Sequence, residues 1–191
     1  MSTPVLHVLA GPNGSGKSTF VARVLLPVTH LPFVNADEIA AERWPGAELE
    51  HAYQASRAAA DLRRRMLSHG ESFITETVFS HHSKVALVTQ AVALGYLVNL
   101  HVMLVPADLA VARVAERVRR GGHQVPEEKI RERYARLLRL VVEARALADR
   151  STFYDNSRAR SPFRIVGTYE RGRLVGEADW PAWTPTVLTR G

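Results

Sequence analysis

The chain has 191 residues, of which 46% are hydrophobic, and this size and composition predict one globular domain over 1–191. It contains no cysteine, which excludes disulfides, thiolate metal sites and cysteine nucleophiles. The sequence shows neither a signal peptide nor an apolar stretch long enough to span a bilayer, so we expect a cytoplasmic protein that does not contact membranes.

The first predicted elements surround a phosphate-binding loop. Residues 11–18 match the pattern G-x-x-x-x-G-K-[ST], after an apolar strand predicted over 5–10 and before an amphipathic helix predicted over 18–26. Glycines let successive N–H groups point inward, and the helix presents its positive dipole end to an anion. In such a loop the lysine, Lys17, reaches the β and γ phosphates of a nucleotide, and the hydroxyl of Ser18 ligates Mg²⁺. We therefore expect ATP and Mg²⁺ as cofactors, with the nucleotide bound by Gly11, Asn13, Gly14, Ser15, Gly16, Lys17, Ser18 and Thr19.

The rest of the chain alternates between apolar runs of strand type and segments of helical periodicity. Further strands are predicted over 31–34, 72–77, 96–105 and 153–156. Helices are predicted over 35–44, 47–69, 83–94, 106–120 and 127–149. Strands separated by helices require right-handed crossovers, which predicts a three-layer α/β fold of the P-loop NTPase and kinase type, with a five-stranded, mainly parallel sheet. A small β-hairpin over 163–168 and 171–176 belongs to a C-terminal segment, 160–191, that also contains a proline-bearing tail.

Two carboxylates stand where the second and third predicted strands end. They are Asp37 and Glu76, and ligands of open α/β sheets bind at this edge. Asp37 is predicted to bind the acceptor substrate and to act as the catalytic base for its hydroxyl; the alternative is a charge that complements the helix dipole. Glu76 is predicted to bind substrate hydroxyls or a metal-bound water, against the alternative of a surface glutamate. The Thr77 hydroxyl is either a further substrate contact or simply the end of a strand.

The basic residues, which give a net charge of +6, are mostly arginine and concentrate in the run Arg63-Arg64-Arg65 and between residues 113 and 139. The run at 63–65 is expected to be a solvated helix face. Two helices joined at the Gly-Gly-His segment 121–123 form a predicted lid over 113–136, whose closure would exclude water. The lid histidine, His123, is expected to be solvated rather than catalytic. The lid residues predicted to contact phosphates, a role expected of some and not all, are Arg113, Arg117, Arg120, Arg131 and Arg133.

A basic face also suits nucleic acid, so the arginines have two interpretations. The sequence lacks RNA and DNA recognition motifs, and no aromatic residues are interleaved with the arginines to stack on bases. These absences argue against nucleic acid as a partner and favour arginines that enclose nucleotide phosphates or form surface ion pairs.

Several segments together resemble the short bacterial zeta-toxin-like kinases. They occur in order at residues 7–19, 33–37, 75–80, 117–126 and 133–134, so the resemblance spans roughly residues 5 to 157. It implies an ATP-dependent phosphotransferase. It also implies that Asp37 is the general base, that Lys17 binds phosphate, and that lid arginines such as Arg117 and Arg133 touch the nucleotide.

One position departs from the family. The true toxins phosphorylate UDP-N-acetylglucosamine and carry an arginine after the third strand, where this chain has Ser80. We therefore expect a kinase for a small-molecule acceptor, with sugar nucleotides among the candidates and with an antitoxin or other protein as a partner. Two other functions stay open. One is a regulatory module that binds and hydrolyses ATP, and the other is a polynucleotide kinase, which predicts salt-sensitive retention on nucleic acid.

Overall fold

The computed structural model describes residues 3–120 and 125–189 and has a single sheet of seven strands between two layers of helices. The strands are β1 (Val5–Ala10), β2 (Phe33–Val34), β3 (Phe73–Thr77), β4 (Leu97–Leu104), β5 (Arg150–Asp155), β6 (Arg164–Glu170) and β7 (Arg173–Leu174). Their order across the sheet is β2-β3-β1-β4-β5-β6-β7. The first five are parallel, whereas β6 and β7 pair antiparallel.

The predicted α/β fold is confirmed, but the predicted count of five strands is wrong. The C-terminal hairpin does not stand apart from the sheet, because β6 pairs along β5, with Thr168 opposite Thr152. An antiparallel strand needs only a short connection, so the few residues between β5 and β6 are enough to extend the sheet.

The helices follow the predicted order with shifted ends. They are α1 (Lys17–Phe20), a π-helical turn (Val21–Leu25), α2 (Leu26–Thr29), α3 (Ala36–Arg43), α4 (Ala52–Ser68), α5 (Ser83–Ala93), α6 (Ala107–Arg119), α7 (Glu127–Leu147) and α8 (Thr186–Thr189). The first predicted helix widens into a π turn just before Pro27, which lacks a backbone donor. Among the described residues no helix combines the length and apolar character needed to cross a membrane.

Two apolar clusters hold the layers together. The larger one packs α4, α5 and α7 on one face of the sheet, around side chains such as Phe73, Leu100 and Phe153. On the other face, Phe20 and Leu25 from the segment that follows the phosphate-binding loop pack on the sheet. The loop is therefore anchored at both of its ends, by β1 in the sheet and by a buried helix.

The C-terminal tail, which the sequence left uninterpreted, completes the larger cluster. Trp180 packs edge-on against Phe153, with ring centroids 5.3 Å apart. Leu188 is fully buried, and its carbonyl oxygen accepts a hydrogen bond of 3.0 Å from Nη1 of the buried Arg145 on α7. The tail is thus part of the folded core.

A row of polar side chains lies on the sheet face that carries Phe20. Nδ1 of His7 on β1 lies 3.0 Å from Nε2 of His101 on β4, and Nδ1 of His101 lies 3.2 Å from the hydroxyl of Tyr154 on β5. Burial lowers the pKa of His101 to about 3, with smaller contributions from the charges of His7 and Arg150. His101 is therefore neutral in the folded protein at physiological pH.

We expect acid to destabilise the protein through His101. Its folded pKa lies below that of an unfolded histidine, so the unfolded state binds the extra proton and the free energy of unfolding falls as the pH drops below about 6.5. The free energy of unfolding measured by urea titration should be lower at about pH 5.5 than at about pH 7, and His101 should contribute about 1 kcal/mol of that difference.

Two glutamine variants isolate the effect of His101. His101→Gln keeps hydrogen-bonding atoms but does not titrate, so it should flatten the dependence of stability on pH. His81→Gln removes an exposed histidine and should leave that dependence as it is in the original protein. An unchanged dependence in the His101→Gln protein would contradict the prediction.

Candidate active site

The phosphate-binding loop joins β1 to α1, and its shape depends on two glycines. Gly14 and Gly16 have φ angles of +77° and +92°, which other residues rarely adopt. Both are also tightly packed. A Cβ on Gly14 would lie 2.9 Å from the carbonyl oxygen of Ala110 on α6, and a Cβ on Gly16 would lie 2.3 Å from Nδ2 of Asn156. Parts of the chain distant in sequence therefore hold the loop.

Asn156 is a site residue that the sequence analysis missed. Its buried side chain donates a hydrogen bond of 2.8 Å from Nδ2 to the carbonyl oxygen of Ser15, and its backbone N–H donates to the carbonyl oxygen of Leu104. The backbone bond continues the pairing of β4 with β5, so the sheet itself aims the amide at the loop. The available signal was its place at the end of a predicted strand, as for Glu76.

Alanine at Gly16 should distort the loop. The new methyl group would meet the amide of Asn156, so we expect weaker nucleotide binding and a lower melting temperature. Gly46→Ala is the matched control, because Gly46 has a similar φ of +83° and no atom within 4 Å of its Cβ position. The backbone strain in Gly46→Ala should lower the free energy of unfolding by about 1 kcal/mol. Nucleotide binding by this variant should stay intact. Equal losses in the two variants would show that contact with Asn156 does not matter.

Lys17 lies buried at the start of α1. Its Nζ donates a hydrogen bond of 3.0 Å to the carbonyl oxygen of Pro12 and lies 3.7 Å from Oε1 of Glu76. Burial lowers the pKa of Lys17, while the charges of Glu76 and Asp37 oppose that shift. The ammonium group is thus enclosed by oxygen atoms at the mouth of the loop.

Glu76 connects the loop to the second strand. Its Oε2 accepts a hydrogen bond of 2.8 Å from the Ser18 hydroxyl and one of 3.3 Å from Nδ2 of Asn35. Asn35 also caps α3, since its Oδ1 accepts the N–H of Asp37 at 2.8 Å. The structure therefore brings Glu76 together with Lys17 and Ser18, as expected for residues at the carboxyl edge of a parallel sheet.

The residues of this site fit a nucleotide phosphate with Mg²⁺. Within the loop, Oδ1 of Asn13 and Oγ of Ser15 are buried without a hydrogen-bond partner. The Ser18 hydroxyl and the Glu76 carboxylate supply oxygen atoms, which Mg²⁺ prefers. The described residues contain no group of three or more histidine, aspartate or glutamate side chains able to hold a metal.

Two further carboxylates, at the start of α3, lie near Lys17 and Glu76 respectively. Asp37 is exposed in the first helical turn, close enough for its charge to raise the pKa of Lys17. Burial and the charge of Glu76 raise the pKa of Glu38. The sequence analysis identified Asp37 but not Glu38, although both follow the second strand.

Two of the predicted lid arginines lie near the loop. Nη1 of Arg113 is 3.4 Å from the carbonyl oxygen of Gly14, to which it donates. The charge of Arg117 contributes to lowering the pKa of Lys17. Both come from α6, so this helix presents its positive charge to the phosphate loop.

The other lid arginines lie elsewhere. Arg120 pairs with Glu116, and Arg131 pairs with both Asp108 and Glu127, in each case at 2.8 Å. These pairs are the surface interactions that the sequence analysis allowed for some of the arginines. The predicted hinge, with His123, lies outside the described residues, and closure of a lid stays a prediction.

Arg133 and Thr77 both lie next to the loop that follows β3. Arg133 on α7 lines a cavity of about 580 Å³ that is also lined by Ser80, His81 and His82. The Thr77 hydroxyl accepts a hydrogen bond of 3.1 Å from the N–H of Phe79. Thr77 therefore shapes the start of this loop, and Arg133 shares a cavity with the loop's end.

Comparison with known families identifies the chain. Residues 6–140 match the family described as AAA domain. The chain belongs to this family. Membership agrees with nucleotide use by the loop at residues 11–18. The sequence matches none of the curated proteins.

Solved structures share the fold of this AAA-domain chain at low sequence identity. A structure of the PezAT chromosomal toxin–antitoxin system of Streptococcus pneumoniae superposes with a TM-score of 0.62 and 16% identity, over 86% of this chain and 72% of that one. The AvrRxo1-ORF1:-ORF2 complex with ATP superposes with a TM-score of 0.69 and 15% identity, over 91% of this chain and 60% of that one. Shikimate kinase from Acinetobacter baumannii, in complex with shikimate, superposes with a TM-score of 0.52 and 19% identity, over 85% of this chain and 88% of that one.

These similarities confirm the predicted zeta-toxin-like P-loop kinase fold. The chain spans 60% of the AvrRxo1 chain and 72% of the PezAT chain that it matches. At identities below 20% the likeness concerns the fold, so the acceptor must be argued from this chain's own residues.

Proposed function

We propose that the protein is a kinase that transfers the γ-phosphate of ATP to a hydroxyl group of a small-molecule acceptor. The observation that carries the proposal is the meeting of Lys17, Ser18 and Glu76 at the edge of the sheet, with Asp37 nearby. A phosphate-binding lysine, a metal-binding hydroxyl and a carboxylate base are the groups that phosphoryl transfer requires.

The proposed reaction balances within this site. Asp37 takes the proton of the acceptor hydroxyl while the oxygen of that hydroxyl forms a bond to the γ-phosphorus. The bond from the γ-phosphorus to the β–γ bridging oxygen breaks, and ADP is released. Lys17 stabilises charge on the β and γ phosphates, and Ser18 and Glu76 are the residues that would hold the Mg²⁺. When bound, Mg²⁺ neutralises phosphate charge. Arg113 and Arg117 add positive charge from α6.

The acceptor is proposed to bind beyond the end of β3. The cavity of about 580 Å³ beside Ser80 and Arg133 is large enough for a metabolite. Ser80 replaces the arginine of the toxins, and Arg133 from α7 provides a guanidinium in the same cavity. A sugar nucleotide therefore stays among the candidate acceptors even without an arginine at residue 80.

A protein partner such as an antitoxin is part of the proposal. Two of the similar structures belong to a toxin–antitoxin system and to an ORF1:ORF2 complex, which are two-component assemblies by their descriptions. Copurification with the product of a neighbouring open reading frame would test this. Recovery of the chain alone, with undiminished activity when the neighbour is added, would argue against a regulatory partner.

The proposed kinase activity can be tested by phosphate transfer. The purified chain is incubated with Mg²⁺ and γ-labelled ATP against sugar nucleotides, nucleosides, small polyols and short RNA ends, with Lys17→Ala as control. Label on a small acceptor supports the proposal, and label on UDP-N-acetylglucosamine identifies toxin-like chemistry. Label on RNA ends supports a polynucleotide kinase instead. Release of free phosphate alone supports a regulatory ATPase.

A further inference from the structure

A buried arginine on α4 has no countercharge among the residues that the structure describes. Arg63 is 7% exposed, and Nη1 donates one long hydrogen bond of 3.4 Å to the Thr75 hydroxyl on β3. The Thr75 hydroxyl is itself engaged, because it donates to the carbonyl oxygen of Val34 at 2.9 Å. Within residues 3–120 and 125–189, no carboxylate pairs with Arg63. A buried cation without a countercharge is costly, so this position calls for an explanation.

A second cation lies beside it. Lys84, in the first turn of α5, shares a cavity with Arg63. Burial lowers the pKa of Lys84 to about 8, and the positive charge of Arg63 contributes to that shift. Two like charges that repel each other in a partly dry site are stabilised by an anion placed between them.

The cavity that contains both residues carries a strong positive charge. It has a volume of about 310 Å³ and lies between α4 and α5. Four cationic side chains and one carboxylate line the cavity: Arg57, Arg63, Arg64, Lys84 and Asp61. The carboxylate, Asp61, forms an ion pair with Arg64. The excess of positive charge suits a group that carries more than one negative charge.

This cavity is separate from the phosphate-binding loop. Side chains alternate between the two faces of β3. Phe73 belongs to the cluster formed with α4 and α5, so Thr75 points to that face as well. Ile74 packs with Phe20 on the other face, and Glu76 points there to meet Lys17. The sheet therefore separates Arg63 from the nucleotide site.

We propose that the cavity between α4 and α5 is a second anion site, in which Arg63 and Lys84 bind the phosphate group of a small phosphorylated molecule. A guanidinium group offers paired donors to phosphate oxygens, and an ammonium group adds a point charge. The site is independent of the kinase activity proposed above. Arg63 is bonded to Thr75, which is the neighbour of Glu76 on β3.

The test is a calorimetric titration of the full chain with inorganic phosphate at constant ionic strength. Phosphate can also enter the loop, so the site is assigned by comparing variants. Arg63→Met and Lys84→Met should each weaken one phosphate-binding event by about tenfold or more. Lys17→Ala should remove binding at the loop and leave this event in place. Arg65→Met is the matched control, because it removes the same charge from an exposed position of the same helix.

Two further readouts separate a binding role from a structural one. The pKa of the Lys84 ammonium, followed by NMR, should rise from about 8 when phosphate is added and should not rise with acetate at the same ionic strength. Without phosphate, Arg63→Met should melt no lower than the original protein, because it removes an unpaired buried charge. A melting temperature that falls in Arg63→Met while phosphate binding is unchanged assigns Arg63 a structural role and overturns the proposal.

One more outcome would overturn it. If all saturable phosphate binding disappears in Lys17→Ala and survives in both Arg63→Met and Lys84→Met, the loop is the phosphate site and the α4/α5 cavity is not. If the expected variants lose binding, phosphate esters and nucleoside monophosphates can then be compared as occupants, with a carboxylate of similar size as the control.

Discussion

Replacing Lys17 by alanine is expected to lower phosphoryl transfer by about a thousandfold or more. Lys17 is the buried cation at the mouth of the loop, with its Nζ 3.0 Å from the carbonyl oxygen of Pro12 and 3.7 Å from Glu76. The variant loses the group that stabilises charge on the transferred phosphate. It also leaves Glu76 without the cation that lies 3.7 Å from it, which makes the site less attractive to an anion. Nucleotide affinity should therefore fall together with transfer.

The measurement is single-turnover transfer from labelled ATP, together with a dissociation constant for a nonhydrolysable ATP analogue. The sequence has three lysines, and Lys129, exposed on α7, provides the matched control as Lys129→Ala. Circular dichroism and melting curves check that the Lys17→Ala protein remains folded. Full transfer by a folded Lys17→Ala protein would remove the basis for phosphoryl transfer at this loop.

The parts of the site that depend on neighbouring residues could be predicted from the sequence. The loop at residues 11–18 is a continuous segment, and its function follows from glycines, a lysine and a serine at fixed spacing. The meeting of Asp37 and Glu76 near Lys17 could also be anticipated. They stand at the ends of successive strands, and the carboxyl ends of parallel strands share one edge of the sheet.

Contacts between residues distant in the chain could not be predicted. Asn156 and Ser15, which are hydrogen-bonded, are 141 residues apart, and nothing in either segment indicates the other. The row of His7, His101 and Tyr154 depends on the register of three strands, which a single sequence does not specify. The pairing of β6 with β5 likewise depends on which sheet edge is free, so the hairpin was predicted but its place in the sheet was not.

Burial is the other property that the sequence did not reveal. Arg63 belongs to the run Arg63-Arg64-Arg65, which reads as a solvated helix face. In the structure Arg64 and Arg65 are exposed, whereas Arg63 is buried against β3. The three residues point in different directions because successive helix positions are rotated by about 100°. A composition-based interpretation of the run therefore describes two of its members and misses the third.

The second large effect is expected from Asp37→Asn, which should lower transfer by about a hundredfold or more while leaving nucleotide affinity unchanged. Asparagine has nearly the same size and keeps the backbone N–H that bonds to Asn35, so α3 should retain its cap. The amide cannot accept the proton of the acceptor hydroxyl. Transfer rates under single turnover and the affinity for an ATP analogue, measured on the same preparation, separate the two quantities.

Glu38→Gln is the matched control, because it removes the same charge from the next residue of α3. Asp37 acts on the charge of Lys17, and Glu38 acts on the charge of Glu76, so both carboxylates contribute to the electrostatics of the site. A purely electrostatic effect would therefore weaken transfer in both variants. A loss confined to Asp37→Asn would instead indicate proton transfer at one carboxylate. If Asp37→Asn lowers nucleotide affinity and leaves the transfer step unchanged, Asp37 belongs to the metal or nucleotide site, and the base must be sought at Glu38 or Glu76.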